Sequence, residues 1–290
     1  MIPIATFTIL AAVAVASALA EPPGAPSLPG TPPASREPKT AEEAAKCTVG
    51  VVGESRAGGR VRIAVRFEMV PGWHIYWQNP GESGAPTRIE LELPEGCTAG
   101  PVEFPAPQVF THGETTFGYE RSVVLSAEVK LPETLPASLP ARVKARWLAC
   151  KERCLMGTAE ASVDLGTAGA RADSLAAALA ESLARVPQPA PEGWKFTVEG
   201  ATGDTARLVV SAPDSVAPDA EWTFIPFDTP GVGLASGYLS DAKGRTARFD
   251  LALSRESALG GALEVGGIVI LGKAGKNGPS YAFRRPIPAP

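Results

Sequence analysis

The sequence predicts an all-β protein with two β-sandwich domains, joined by one amphipathic helix and a proline-rich linker. Three observations lead to this prediction. Short runs of residues alternate between apolar and polar side chains with the period of a strand. Glycine and proline are abundant, with 30 and 29 copies in 290 residues, and many of them separate these runs as turn residues. A single segment has the spacing of an amphipathic helix.

The first 20 residues have the features of a signal peptide. Residues 2–20 carry no charge and end in Ala18-Leu19-Ala20, the small-x-small pattern of a cleavage site. We expect residues 1–20 to be removed after export, with an uncleaved N-terminal anchor as the alternative, because such a run nearly spans a bilayer. Either outcome places the rest of the chain outside the cytoplasm. Residues 21–40 are rich in Pro, Ala, Gly and Ser, and we expect them to form a disordered tether.

Residues 41–166 are predicted to form the first sandwich. In residues 61–67, Val61, Ile63, Val65 and Phe67 alternate with polar or small residues, so that the four apolar side chains face inward. Further strands are predicted at residues 89–93, 123–129, 143–148 and 159–165. Several short strands separated by turn residues are typical of a β-sandwich.

The connection between the two sandwiches is assigned to residues 167–191. Leu175, Leu179, Leu183 and Val186 lie on one stripe of a helix predicted over residues 173–186. Pro187 ends this helix, and the prolines that follow it make a stiff linker.

Residues 192–285 are predicted to form the second sandwich. Its strands are predicted at residues 194–198, 208–210, 245–253, 267–271 and 281–283. This segment contains no Cys and no His, so we assign it a structural or partner-binding role.

Composition argues against several function classes. A net charge of −4 and a pI near 5.4 argue against nucleic acid as the partner, because phosphate binding needs a basic surface. We find no Ser-His-Asp set, no paired carboxylates and no phosphate-binding loop, and we expect no cofactor.

The chain has four cysteines, and the spacing of two of them points to chemistry. Cys150 and Cys154 follow a predicted strand and are separated by Lys151-Glu152-Arg153. If those three residues are a hairpin loop, the cysteines oppose each other at a distance that suits a disulfide. A helical turn would also bring positions i and i+4 together.

The short Cys150–Cys154 bridge would stabilise the fold little. A bridge that closes about five residues contributes roughly 2 kcal/mol, against roughly 4 kcal/mol for one that closes about 51 residues, as between Cys47 and Cys97. The cations Arg146, Lys151 and Arg153 surround the short pair and favour a thiolate. The sequence therefore favours Cys150 and Cys154 as a redox-active pair over a structural hairpin bridge.

Cys47 and Cys97 are candidates for a structural disulfide. One precedes the first strand of the sandwich and the other follows the strand at residues 89–93. Two unpaired thiols are the second possibility, and resolving cysteines for Cys150 the third.

A copper site is the metal hypothesis that the sequence allows. Cys150, Cys154 and Met156 are soft ligands that suit Cu(I), and His74 and His112 are the only histidines. Zinc would need a second pair of ligands, which the chain lacks. Since Met156 can simply pack and each histidine can be a surface residue, we expect no resident metal and keep Cu(I) binding as an alternative.

An aromatic cluster lies at residues 73–77. At strand spacing, Trp73, Ile75 and Trp77 share one face, and His74 and Tyr76 share the other. We expect most of the cluster to be core and part of it to wall the cysteine pair.

Four ordered motifs resemble the N-terminal periplasmic domain of the thiol:disulfide interchange protein DsbD, and the ScsB-type branch of that family in particular. They are residues 72–84 (GWHIYWQNPGESG), 104–107 (FPAP), 117–120 (FGYE) and 147–154 (WLACKERC). The second segment resembles the next β domain of the same branch more weakly, through residues 224–228 (FIPFD) and 266–270 (GGIVI).

The resemblance implies immunoglobulin-like sandwiches with the redox pair at Cys150 and Cys154. It implies a periplasmic domain that takes electrons from a membrane-embedded thiol reductase of the CcdA/DsbD type and passes them to thioredoxin-fold proteins, as a protein-disulfide reductase. A loop caps the site in the family, which makes Phe117 and Tyr119 cap candidates, beside the site-lining candidates Trp73 and Tyr76. The branch also resembles copper-tolerance systems.

A non-catalytic binding module is the alternative function. In that case the Cys150–Cys154 bridge would be structural, or the thiols would hold Cu(I), and the sandwiches would recruit a partner.

Overall fold

A computed structural model describes residues 37–111, 113–166, 172–202, 204–218, 220–234, 244–254, 263–272 and 278–288. The predicted signal peptide, residues 21–36 of the predicted tether and His112 lie outside these residues. Within them, strands dominate and two helices occur, α1 (Ala41–Ala44) and α2 (Ala172–Leu183). The predicted all-β class is confirmed.

The first sandwich consists of two antiparallel sheets. Its strands are β1 (Ala45–Val52), β2 (Arg60–Met69), β3 (His74–Gly81), β4 (Arg88–Glu92), β5 (Thr98–Ala99), β6 (Gln108–Phe110), β7 (Thr116–Glu120), β8 (Ser122–Lys130), β9 (Pro140–Cys150) and β10 (Cys154–Asp164). The first sheet has the order β1-β2-β8-β5. The second sheet, which we call the site sheet, has the order β10-β9-β3-β7-β6, and β4 also pairs with β9.

Alternating residues of both sheets form the core of this sandwich. Val61, Ile63, Val65 and Phe67 of β2 are all buried there, as predicted. Trp147 of the site sheet meets Phe67 edge to face at a ring distance of 5.2 Å. Arg62 and Arg66 lie on the other face of β2 and pair with Glu103 and Glu68. The period of two in the sequence therefore separates core from surface as expected.

The helix α2 covers the outer face of the first sheet. Leu175 and Leu179 pack there against Ala64 and Val124. The α-helix ends at Leu183, three residues before the predicted end, and Val186 N–H donates to the Leu183 carbonyl at 3.1 Å in a tighter turn. Pro187 explains the early end, because the residue before a proline is disfavoured in the helical conformation.

The second sandwich also has two sheets. Its strands are β11 (Gln188–Pro189), β12 (Lys195–Thr202), β13 (Thr205–Ser211), β14 (Trp222–Pro226), β15 (Val232–Leu234), β16 (Thr246–Leu253), β17 (Glu264–Leu271) and β18 (Ser280–Pro286). The third sheet has the order β11-β18-β17-β14 and the fourth β12-β13-β16-β15. The short strand β11 lies in the predicted linker and pairs with β18 at the edge of the sheet, where a proline is tolerated.

The third sheet is buried on both faces. Phe224, Val269 and Phe283 point into the core of the second sandwich. The intervening Ile225 and Ile268 pack instead with the core of the first sandwich. Asn79 Nδ2 donates to the Pro226 carbonyl at 2.9 Å across the same contact. An extensive apolar contact therefore joins the two sandwiches, and the helical connection is not their only link.

The end of the predicted tether belongs to the folded part. Pro38 is buried, and its carbonyl accepts a hydrogen bond from Arg153. Thr40 caps α1, with its Oγ1 accepting from Glu43 N–H at 3.3 Å. The structured region therefore begins before residue 41.

Candidate functional site

Cys150 and Cys154 face each other at the end of the β9–β10 hairpin. The two strands pair in continuous register from Cys150–Cys154 to Pro140–Asp164, and Lys151 N–H donates to the Arg153 carbonyl at 3.1 Å in the loop. The Cα atoms of the two cysteines are 4.2 Å apart and their sulfur atoms form a disulfide. The predicted three-residue hairpin is confirmed.

The disulfide lies on the outer face of the site sheet. Val143, Ala145, Trp147 and Ala149 of β9 point into the core. Since side chains alternate along a strand, Cys150 points to the opposite face. It is nevertheless only 2% exposed, whereas Cys154 is an exposed residue. The two sulfur-bearing residues therefore differ sharply in accessibility.

A cavity of about 460 Å³ opens beside the disulfide. Its walls come from the site sheet, the loop before β7 and the hairpin: Gly72, His74, Tyr76, Ser83, Phe110, Glu114, Thr116, Glu120, Cys150, Lys151, Glu152 and Cys154. Both cysteines line this cavity, so that a molecule entering it would reach the disulfide.

Four of these residues form one row across four neighbouring strands. Glu120 of β7 pairs with His74 of β3, His74 pairs with Cys150 of β9, and Cys150 pairs with Cys154 of β10. Directly opposed residues have Cβ atoms about 4.5–5.5 Å apart. The register thus places a carboxylate and an imidazole next to the disulfide.

His74 lies in a largely apolar setting within this row. Its ring centroid is 4.8 Å from that of Phe110 and 5.2 Å from that of Tyr76. Burial lowers the pKa of His74, and the negative charge of Glu120 opposes that shift. Its Nε2 atom is buried and has no hydrogen-bond partner.

Of the three cations predicted around the pair, Lys151 alone lines the cavity. Arg153 is directed to the Pro38 carbonyl, and Arg146 pairs with Glu90 at 3.4 Å. The expected positive surroundings are therefore reduced to Lys151, with Glu152 beside it in the loop.

The structure places one of the four aromatic candidates at the cavity and the other three in the core. Tyr76 lines the cavity, but Trp73, Phe117 and Tyr119 are buried in the core on the opposite face of the site sheet. Tyr119 Oη donates to the Pro105 carbonyl at 2.7 Å, and burial raises its pKa. Strand alternation is the reason, since His74 and Tyr76 share the outer face while Trp73 does not. The placement of Trp73, Phe117 and Tyr119 at the site was wrong.

Sequence reasoning missed the cavity-lining residues of β7 and of the loop that precedes β7. Glu120, Thr116 and Glu114 belong to this group, together with Phe110 from β6. The signal that could have found Glu120 is its place one residue after the core residue Tyr119, which puts it on the face of the cysteines.

Cys47 and Cys97 are free thiols, so the disulfide expected between them is not formed. They lie at opposite edges of the first sheet, because β2 and β8 separate β1 from β5, next to which Cys97 lies. Three strand spacings amount to about 14 Å, well beyond the roughly 7 Å limit between the Cα atoms of a disulfide. Burial raises the pKa of Cys47 to about 12 and raises that of Cys97 as well.

Among the described residues, no group of three or more His, Cys, Asp and Glu side chains is arranged to hold a metal ion. Met156 is 82% exposed and lies two residues beyond Cys154, and His112 falls outside those residues. The same part of the chain contains no helix that is both long and apolar enough to cross a membrane.

Comparison with protein families and solved structures finds proteins that are similar to this chain. Residues 40–164 match the family model described as thiol:disulfide interchange protein DsbD, N-terminal. No curated protein matches the sequence significantly.

Among solved structures, the chain is similar to the N-terminal periplasmic domain of ScsB from Proteus mirabilis. The sequence identity is 17%, the TM-score is 0.59, and the match covers 83% of this chain and 91% of that one. Coverage of this extent reaches past residue 164, so the fold similarity includes part of the second sandwich.

Two further matches share little of the fold. The GAE domain of yeast GGA1 has a TM-score of 0.24 at 12% identity and covers 39% of this chain and 85% of its own. BcpA, the major pilin subunit of Bacillus cereus, has a TM-score of 0.27 at 9% identity and covers 84% of this chain and 65% of its own.

The family match coincides with the first sandwich and includes the disulfide, the cavity and the row that ends at Cys154. Residues 40–164 are therefore similar to the N-terminal domain of the thiol:disulfide interchange protein DsbD, and this similarity supports a thiol:disulfide interchange module in the first sandwich.

Proposed function

We propose that Cys150 and Cys154 are the exchange pair of this module and that it reduces disulfides of other exported proteins. The single observation that carries the proposal is the asymmetry of the disulfide. Both cysteines line the cavity, but Cys154 is an exposed residue whereas Cys150 is only 2% exposed. A disulfide in that position offers one sulfur to an incoming thiolate and shields the other.

The asymmetry assigns a role to each cysteine. A partner thiolate attacks Cys154 Sγ, the Cys150–Cys154 bond breaks, and its electron pair leaves on Cys150 Sγ. The partner sulfur and Cys154 then form the mixed disulfide. A second partner thiol completes the reduction of the module by attacking the partner sulfur of that bond. When the reduced module donates electrons, Cys154 attacks the client disulfide and Cys150 resolves the product.

The disulfide is not needed to hold the hairpin together. Eleven residue pairs join β9 and β10, and the disulfide lies at the very end of this ladder. A loop of about five residues also makes the bridge a weak entropic constraint, contributing roughly 2 kcal/mol. Opening the disulfide can therefore occur without loss of the sandwich, as exchange requires.

The family suggests the route of the electrons. We infer that a membrane-embedded thiol reductase of the CcdA/DsbD type reduces the module and that thioredoxin-fold proteins of the periplasm oxidise it. The charge-free N-terminal run with its small-x-small end supports export by a signal peptide. In this proposal residues 192–285 form a second domain that supports the first, and the reaction uses no cofactor.

We propose that a redox partner first contacts the exposed side chain of Met156. It lies on β10 two residues after Cys154, so that both side chains leave the same face of the strand. A flexible thioether exposed to this degree suits the docking of several partners, because it adapts to surfaces of different shape.

The reduction potential of the pair tests the proposal. Purified protein is equilibrated in thiol redox buffers, free thiols are trapped, and each cysteine is located by mass spectrometry. We expect a midpoint between about −180 and −280 mV, the span of known exchangers, with loss of the signal in Cys150→Ala. A variant with Ser at both Cys47 and Cys97 is the matched control and should keep the midpoint.

A midpoint well below about −300 mV would contradict exchange and favour a structural bridge in a binding module. Titration of the reduced protein with Cu(I) then distinguishes the copper alternative. Tight binding that requires Cys150, Cys154 and Met156 together would support it.

A further inference from the structure

The row across the site sheet contains a titratable side chain that the exchange scheme leaves unused. His74 pairs with Cys150 on one side and with Glu120 on the other. Its side chain shares the outer face with both and lines the same cavity. An imidazole between a carboxylate and a cysteine is an arrangement that can move a proton.

The Nε2 atom of His74 is buried without a partner. Buried polar atoms are nearly always hydrogen-bonded, so an exception calls for a physical explanation. Six side-chain atoms in the described part of the chain share this property, and His74 is the one residue among them that lines the cavity of the disulfide. A disulfide sulfur has no proton to donate, whereas the thiol formed on reduction does.

We propose that His74 is the acid–base partner of Cys150, taking the proton of its thiol when the pair re-forms and returning it when the pair opens. The inference rests on the proposed exchange function of Cys150 and Cys154. It adds a proton-transfer group to that reaction.

The proton and the electrons balance in the following steps. In the mixed disulfide, the Cys150 S–H bond breaks and its proton passes to Nε2 of a neutral His74 that carries its own proton on Nδ1. The Cys150 thiolate attacks Cys154 Sγ, the bond from Cys154 to the partner sulfur breaks, and the electron pair leaves on that sulfur. In the opposite direction, the imidazolium returns the proton to the Cys150 thiolate as the disulfide opens.

The surroundings of His74 are compatible with both the neutral and the protonated imidazole. Burial favours the neutral ring that accepts the proton, and Glu120 stabilises the imidazolium that results. The other ionisable groups that face the cavity are Glu114 and Glu152, Lys151 and Tyr76. Cys150 is almost fully buried, so its thiolate needs a neighbouring positive charge more than an exposed thiolate would.

The test measures how readily the Cys150 thiol ionises. Cys154→Ser leaves Cys150 as a free thiol, and its alkylation by iodoacetamide is followed across pH by peptide mass spectrometry, which separates it from Cys47 and Cys97. We expect His74→Gln to slow the reaction about tenfold near pH 7, with the difference between the two rates shrinking as the pH rises and the thiol ionises unaided. Glu120→Gln should give a smaller effect of the same kind.

Two controls separate this effect from a change of shape. Glu160→Gln replaces a carboxylate on the exposed face of β10 and should leave the pH profile unchanged. In the unmodified protein, NMR titration of the His74 ring needs no variant to fold, and its pKa should shift when the disulfide is reduced, because only a thiol can share a proton with Nε2.

An identical pH profile in the His74→Gln variant, an equal slowing at every pH, or no response of the His74 ring to reduction would each overturn the inference. The potential of the wild-type pair reports separately on the exchange function. A normal potential without thiol coupling would remove the role of His74 alone. A potential typical of a structural bridge would remove the exchange step, whatever the thiol titration gives.

Discussion

The two faces of the site sheet carry opposite kinds of residue on the same strands. Toward the core, β3 and β9 present Ile75, Trp77, Trp147 and Ala149, which are all fully buried and apolar. Toward the cavity, the same strands present His74 and Cys150. Alternation allows one strand to stabilise the sandwich with every second residue and to hold chemistry with the others. Substitutions on the two faces should therefore have separable effects.

The largest effect on stability is expected for Trp147→Ala. This side chain is buried and packs edge to face on Phe67, so that its removal should destabilise the fold by about 3–5 kcal/mol. The neighbouring Leu148 is only partly buried on the cavity face, and Leu148→Ala should cost less than about 2 kcal/mol. Urea unfolding of the oxidised proteins measures both. Equal losses for the two variants would show that the faces are not separate.

Reduction of the disulfide should have an intermediate effect. The reduced protein should unfold cooperatively and be less stable than the oxidised protein by about 2 kcal/mol, because the bridge closes a loop of about five residues. The double variant Cys150→Ala, Cys154→Ala should behave like the reduced protein in the same urea titration. If either of them lost its cooperative transition, the bridge would be a structural requirement and the comparison of the two faces would fail.

The smallest effect on stability is expected from ionisation of the Cys47 thiol. Cys47 packs against the core, and burial raises its pKa to about 12. In the unfolded chain the thiol loses its proton near pH 8.5, so the stability that the neutral thiol contributes is complete below that pH and decreases as pH rises toward 12.

The measurement for Cys47 is urea unfolding at two pH values. Raising the pH from about 8 to about 9.5 should lower the stability of the wild type by about 1 kcal/mol more than that of Cys47→Ala. A similar decline in both proteins would indicate that Cys47 ionises as freely in the folded state as in the unfolded one.

The parts of the fold that the sequence predicts best are those governed by local periodicity. The alternation in β2 and around His74, the helix over Leu175 and Leu179, and the hairpin between Cys150 and Cys154 all depend on neighbours within a few residues. Each is found in the structure.

Long-range register was beyond the reach of the sequence. Whether Cys47 approaches Cys97 depends on the order of four strands, and no local pattern encodes that order. The cavity has the same origin, since Glu120 and His74 become neighbours of Cys150 only when β7, β3 and β9 pair. Assigning Phe117 and Tyr119 to the site failed because a position in the chain does not give the face of a strand.

The third sheet, apolar on both sides, has a consequence for how this protein tolerates change. Ile225 and Ile268 would meet water if the two sandwiches moved apart, and the Asn79–Pro226 hydrogen bond would break with them. A shortened protein that ends after the first sandwich would expose the apolar surface that Ile225 and Ile268 cover, and it would tend to aggregate. The second sandwich therefore covers an apolar surface of the first, and the two should be expressed and engineered together.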